Sequence, residues 1–262
     1  GRAPPDPDLH RLVPAGAALS YNPARRWVGR VEGHVVKAHA VAPPPGVAAL
    51  LTAPPPRLAG HLPPAIISHG GRLVRTDWVA GTGPREADLP GVGEALGALH
   101  AAPAPAGLPV LGAAAAVRAA RDAGQAVVQA LPGERSRVRR LLAVLRAHAE
   151  WWPAAVSPVH GDFSPDQVVV TGDRVVLLDL DRAAIGPPGW DTAQWTTAQI
   201  ATGDLPVPAP LAAAATPVVL LAAALQRAPE PFRRLRPGWP RLVGDLLAFA
   251  ESAAGELTGR TP

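Results

Sequence analysis

Apolar residues follow a short, alternating rhythm in the first third of the chain and a longer, helical one through most of the rest. Residues 18–40 read as two strands or more. Tyr21-Asn22-Pro23-Ala24 breaks the first, residues 26–31 alternate toward a Glu32-Gly33 turn, and residues 34–39 return. Residues 65–68 and 72–79 predict another hairpin through His69-Gly70-Gly71. Between these hairpins a short helix is expected over 47–52, hemmed in by Pro43-Pro44-Pro45 and Pro54-Pro55-Pro56. From Leu89 the period lengthens, and helices are predicted over 89–101, 113–131, 134–152, 207–227 and 238–257. The third is the clearest, with Val138, Leu141, Leu142, Leu145, Ala149 and Trp152 at helical spacing. Residues 1–17 are Pro- and Ala-rich, with a short helix near 9–13.

The helical stretch is interrupted at residues 158–181, PVHGDFSPDQVVVTGDRVVLLDLD. An apolar approach leads into His160-Gly161-Asp162. A strand over 168–170, a Thr171-Gly172-Asp173 turn and a strand over 175–178 follow, ending in Asp179 and Asp181. A hairpin with a carboxylate before it and another at its far end brings the two close together. They can then divide labour, one taking a proton from an attacking hydroxyl and the other holding a divalent metal on a phosphate chain.

Composition narrows the classes. Hydrophobic residues make up 48% of 262, enough for a large buried core, and 33 prolines punctuate them. With no Cys, the chain has no disulfide, no thiolate zinc site and no cysteine nucleophile, which suits a cytoplasmic enzyme. Neither a membrane span nor a signal peptide is expected, and the missing initial Met points to a trimmed start. A net charge of +4 raises nucleic acid as a partner, but the arginines are scattered and only 4% of residues are aromatic, so none is expected. Lys37 is the single lysine. In so Arg-rich a chain it marks a place where a compact ammonium is needed, such as a phosphate reached from a strand.

The 158–181 stretch resembles the catalytic and metal-binding core of the aminoglycoside phosphotransferase and choline kinase family, distant relatives of protein kinases. The resemblance implies an α+β, two-lobed protein-kinase-like fold, with a small β-rich lobe over 1–80 that binds nucleotide. A larger α-helical lobe over 81–262 would hold the catalytic loop, the metal site and the acceptor-binding helices. Asp162 matches the catalytic Asp and Asp179 the metal-binding Asp, and Gln167 stands where Asn is usual, as second metal ligand or positioning group. Asp166 and Asp181 are spare carboxylates beside them, Asp181 being read as solvated or Arg-paired. Lys37, in Val35-Val36-Lys37, matches the phosphate-holding lysine. The phosphate-covering turn is not Gly-rich, so Arg25 or Arg26 could meet phosphates there. Trp78 and Val79 fall at the hinge that meets the base, although Trp78 suits plain core equally well. Gly186-Pro187-Pro188-Gly189-Trp190-Asp191 resembles the turn whose Asp caps a helix and braces the catalytic loop.

The cofactors implied are ATP or GTP, with Mg2+. The partners implied are the nucleotide and a hydroxyl-bearing acceptor. Two features depart from the family. No Asp or Glu lies between Val41 and Thr76, so Lys37 lacks its usual helix partner, and either an acid from elsewhere pairs with it or the nucleotide phosphates alone do. After Asp191 only Asp204, Glu230, Asp245, Glu251 and Glu256 are acidic, and residues 232–241 are basic. A polycationic acceptor is therefore disfavoured. The expected acceptor is a hydroxylated natural product, or a Ser or Thr of a peptide handled together with a partner lyase. The alternative is a non-catalytic pseudokinase or scaffold of a biosynthetic complex.

Overall fold

The structure, a computed structural model, describes residues 9, 11–22, 25–202 and 215–259. β1 (Ala17–Asn22), β2 (Arg26–Val31) and β3 (His34–His39) form an antiparallel meander. β4 (Ala65–Ser68) and β5 (Leu73–Asp77) extend it to a five-stranded sheet in the order β1-β2-β3-β5-β4. Glu32 and Gly33 both have positive φ (49° and 82°), as a two-residue hairpin turn requires. Along β3, Val36 and Ala38 are buried with Trp27 and Leu9 in a small core on one face. Strand alternation puts Val35, Lys37 and His39 on the other. The register sets Arg26 opposite His39 and Val28 opposite Lys37, so Arg26 shares the face of Lys37.

The proline-rich segment yields two short helices, α1 (Pro45–Thr52) and α2 (Pro56–Ala59). Each starts on a proline, which lacks the N–H that a first helical turn cannot satisfy anyway. Then come α3 (Leu89–His100), α4 (Ala113–Ala130) and α5 (Arg135–Ala147). β6 (Ser157–Val159) pairs with β9 (Ala184–Gly186), and the hairpin β7 (Val168–Thr171) and β8 (Arg174–Leu177) lies between them in sequence. α6 (Gly189–Thr202), α7 (Pro217–Arg227), α8 (Glu230–Arg233) and α9 (Trp239–Thr258) complete the helical part.

Two large cores serve these elements. One joins α4, α5, α6, α7 and α9, where alanines such as Ala222, Ala223 and Ala224 are wholly buried and let the helices approach closely. The other runs from Val47 and Leu50 of α1 and Val74 of β5 through α3 to Val168, Val175 and Leu177 of the hairpin. It fixes the hairpin beneath the sheet.

Several expectations are corrected. The helix predicted over 134–152 stops at Ala147 and passes into a 3-10 turn, Ala149–Trp151. Pro153 follows Trp152, and the residue before a proline is driven out of the helical region. Trp151 is consequently exposed, and Trp152 packs on Trp190 (5.9 Å between rings). The second hairpin strand stops at Leu177, and the 72–79 strand is Leu73–Asp77. The β6–β9 pair was not expected. Of the helix predicted over 207–227, residues 207–214 lie outside the described residues, and α7 starts at Pro217. His10 of the short helix near 9–13 also lies outside them, while Leu9 is buried and its carbonyl accepts from the Leu12 and Val13 N–H groups.

Candidate active site

His160-Gly161-Asp162 follows β6 and is braced from several directions. Asp191, wholly buried, accepts hydrogen bonds from the backbone N–H of His160 (2.8 Å) and of Gly161 (2.9 Å), and meets His100 Nε2 at 2.9 Å. It does this from inside the first turn of α6. Trp190 Nε1 donates to the Gly161 carbonyl (3.1 Å). His160 Nε2 donates to the carbonyl of Leu178 (2.7 Å), which ties this loop to the residue preceding Asp179. Gly161 has φ +83°, and a Cβ there would lie 2.1 Å from the Arg182 carbonyl oxygen, so glycine is the residue that fits.

Asp162 is thus held on an immobilised loop with its side chain 28% exposed. Arg227 Nη2 approaches its Oδ1 at 3.5 Å and Arg182 Nε its Oδ2 at 3.7 Å. Burial pushes the Asp162 carboxyl above the ordinary carboxylate range, and the guanidiniums of Arg182 and Arg227 oppose that push without cancelling it. A carboxylate shifted upward is the stronger proton acceptor.

At the far end of the hairpin, Asp179 takes a left-handed conformation (φ 58°) that Asp enters more readily than most side chains. A 3-10 turn, Leu180–Arg182, follows and sets Asp181 beside it. Lys37 Nζ lies 2.6 Å from Asp179 and 3.0 Å from Asp181. Arg26 grips Asp179 through both of its oxygens (3.0 and 2.9 Å) and also bonds Asp181. Burial raises the Asp179 carboxyl, but the charges and hydrogen bonds of Lys37 and Arg26 outweigh it and hold it well below its ordinary value. Burial likewise lowers Arg26, and its bonds to the two carboxylates more than reverse that.

Lys37, Asp179 and Asp181 line one cavity of about 400 Å³ between sheet and hairpin. Its apolar part includes Val35, Leu62, Val74 and Val169. Trp78, Val79 and Gln167 also line it. The connection after Val79 is docked onto the hairpin by two backbone bonds between Thr82 and Val170 (3.1 and 2.8 Å). Gly81 makes this possible, since a Cβ there would meet the Val170 carbonyl oxygen at 2.3 Å.

Most of the expected site residues therefore come together in one place. Lys37, Arg26 and Asp179 touch, and Gln167, Trp78 and Val79 share their cavity. Arg25 lines a smaller neighbouring cavity with Arg26, His39 and Asp181. Burial lowers the pKa of Arg25, and the nearby charges of Arg182 and Arg26 lower it further. Of the two alternatives for Lys37, it is acids from elsewhere that pair with it: Asp179 and Asp181 stand in for the missing helix acid. Other readings are corrected. Trp78 is not core: it is 40% exposed, with the Arg30 guanidinium 4.5 Å from its ring centre. Asp166 is no spare ligand, since Ser164 Oγ (2.5 Å) and Arg234 Nη1 (2.9 Å) bond it outside the cleft. Arg182 and Arg227 were missed beside Asp162. Neither carries a motif, and Arg227 ends a helix 65 residues away.

Oxygen donors are what the cleft offers a cation: the carboxylates of Asp179 and Asp181 with the Gln167 amide, and Asp77 elsewhere in the lining. Among the described residues no three His, Cys, Asp or Glu side chains gather as a metal site. Asp179 and Asp181 nevertheless converge on one cation, the Lys37 ammonium. Two carboxylates on one charge suit Mg2+, which takes one or two carboxylates and completes its shell with water and phosphate oxygens.

A family model described as a phosphotransferase enzyme family matches residues 11–216. No curated protein sequence matches the chain. Among solved structures, the chain is similar to a choline/ethanolamine kinase family protein from Mesorhizobium loti. The identity is 16% and the TM-score 0.56, over 93% of this chain and 87% of that one. It is also similar to a thermostable mutant of aminoglycoside phosphotransferase APH(4)-Ia in ternary complex with AMP-PNP and hygromycin B. There the identity is 18% and the TM-score 0.63, over 92% and 94% of the two chains. The GDP and kanamycin complex of APH(2")-IIia matches at 17% identity and a TM-score of 0.61, over 91% and 93%. At such identities the likeness is one of fold, here the protein-kinase-like fold.

Proposed function

Because this chain belongs to the phosphotransferase enzyme family, we propose that it moves the terminal phosphoryl group of ATP or GTP to a hydroxyl of a non-polycationic acceptor. The acceptor is a natural product, or a Ser or Thr of a peptide, in the second case with a lyase as partner. One observation carries the reading: Lys37 of the sheet and Asp179 beyond the hairpin, 142 residues apart, meet in a largely apolar cleft. A nucleotide joins the matching parts, a flat base and charged phosphates. The solved relatives in complex carry AMP-PNP in one case and GDP in the other, which supports a purine nucleotide of either kind.

In this reading the base lies against Trp78 and Val79. The Trp78 N–H is already bonded to the Gly33 carbonyl (3.0 Å), so the backbone of Val79 is the part left to meet a base edge. Lys37, Arg26 and Arg25 hold the phosphates. Asp179 with Gln167 would hold Mg2+, and Asp181 adds a carboxylate at the same point. When bound, the metal neutralises phosphate charge. Asp162 orients the acceptor hydroxyl and accepts its proton. The hydroxyl oxygen forms a bond to the terminal phosphorus as the bond to the bridging oxygen breaks, and the nucleoside diphosphate leaves with that electron pair. Most of the rate comes from positioning and charge neutralisation.

The test is Mg2+-dependent nucleotide binding by calorimetry, followed by turnover with hydroxyl acceptors. Asp162→Asn should bind nucleotide within a few-fold of the wild type and lose turnover. Turnover close to wild type in that variant would sink the assignment of Asp162. Nucleotide binding without turnover in the wild type, across natural-product and peptide acceptors, would favour the non-catalytic scaffold instead.

A further inference from the structure

A second cavity, of about 160 Å³, opens beside Asp162 and shares no lining residue with the nucleotide cleft. Arg227 belongs to both this cavity and the surroundings of Asp162. The cavity's charged lining is Asp166, Glu230, Arg227, Arg234 and Arg236. Both acids are already engaged. Asp166 takes Arg234 at 2.9 Å, and Glu230 takes Arg227 at 3.1 Å with Arg234 at 3.9 Å. The Arg227 side chain is only 3% exposed; it bonds Glu230 and the Gln194 side chain, lies 3.5 Å from Asp162, and its Nε has no hydrogen-bond partner among the described residues. Counting Asp162 and its other neighbour Arg182, four arginines face three carboxylates, and half-buried Arg236 is the arginine without an ion pair among the described residues.

We infer that this cavity holds an anionic group of the acceptor, a carboxylate, sulfate or phosphate, through Arg236 and the unused N–H groups of Arg234. The acceptor hydroxyl then lies toward Asp162. The inference rests on the phosphotransferase reading and names its substrate class. The chemistry runs against a cation here. An ammonium group would have to take Asp166 from Arg234, or Glu230 from Arg227, and in the second case would leave the buried Arg227 only the more distant Asp162. An anion costs neither pair. Guanidinium N–H groups also match the oxygens of such groups, often two at a time.

Calorimetric titration with inorganic sulfate tests the site. It is run with ADP and Mg2+ at saturation, so that Lys37 and Arg26 are already engaged. Saturable sulfate binding is expected, weakened about tenfold or more by Arg236→Gln and by Arg234→Gln, with melting temperatures reporting the fold of each variant. Spermidine should show no saturable binding. Absent sulfate binding, or binding that neither variant weakens, would overturn the inference. So would spermidine binding that Asp166→Asn removes. ADP is titrated first, alone. If the wild type fails to bind ADP, it is the phosphotransferase reading that falls, and the sulfate titration without nucleotide still decides whether the cavity takes anions.

Discussion

Asp162 and Lys37 are the residues on which the chemistry turns, and their surroundings make distinct demands. The folded pKa of Asp162 lies above its ordinary value of 3.8, so the folded chain binds a proton that the unfolded chain has released. Stability therefore falls as pH rises through that window. Asp162→Asn should melt higher than the wild type at pH 7 and gain nothing at pH 3. It should also lose turnover by about 10²- to 10⁴-fold. Scanning melting temperature against pH, with ADP release as the activity readout, checks both signs together. Lys37 makes a different case. Its ammonium sits between two carboxylates at 2.6 and 3.0 Å, a space shaped for a point charge. Lys37→Arg should be nearly as damaging to kcat/KM as Lys37→Ala, because a planar fork does not fit there. An active Lys37→Arg enzyme would transfer the phosphate role to Arg25 and Arg26.

Among the elements, the loop between β6 and the hairpin depends on α6 for its shape. Asp191 takes two backbone N–H groups of that loop while wholly buried. Asp191→Ala leaves both donors unsatisfied and should cost about 2–5 kcal/mol of unfolding free energy by urea titration. Asp191→Asn keeps one acceptor oxygen and should cost less. Both should slow turnover more than they weaken nucleotide binding, since the nucleotide cleft is built from the sheet and the hairpin. A variant that loses ADP affinity and turnover in equal measure would show that the brace supports the whole cleft. The hairpin itself is read easily from its turn and its two apolar runs. The Asp191 part of the brace follows from the resemblance of residues 186–191 to a family turn, but the contacts of His100 and Trp190 form only when α3 and α6 pack around the loop.

Across the whole molecule, Arg26 and Lys37 tie the sheet to the helical part through Asp179 and Asp181. The Asp179 carboxyl is held well below its ordinary value of 3.8, so its contribution to stability is fully present above that pH and is lost as pH falls through the lower, folded value. Asp179→Asn should cost about 1–3 kcal/mol at pH 7. The difference from wild type should shrink as the pH is taken well below 4, opposite in direction to the Asp162 variant. Chemical unfolding at the two pH values decides this. Magnesium-dependent nucleotide binding should be lost in the same variant. Unchanged binding would show that Asp179 is not a metal ligand.

What the sequence alone determined is local. The alternation over 26–39, the Glu32-Gly33 turn, the HGD loop before its hairpin and the lone lysine on a strand all rest on period and turn chemistry, which act over a few residues. That was enough for the elements and the turns, while the fold class and the roles of the cleft residues came from the resemblance of the 158–181 stretch to a known family. The tertiary structure decided which charges meet. Lys37 lacks an acid in the segment where its family keeps one, and finds two carboxylates 142 and 144 residues further on. Arg26 joins them because the β2–β3 register puts it on the lysine's face. Arg227 reaches Asp162 from the end of a helix that no spacing rule connects to the loop. Asp166, spare in sequence, is claimed by Arg234. The upward shift of Asp162 and the downward shift of Asp179 begin from the same side chain. They diverge because desolvation and counter-charge depend on what packs around each carboxylate, and only the folded chain sets that.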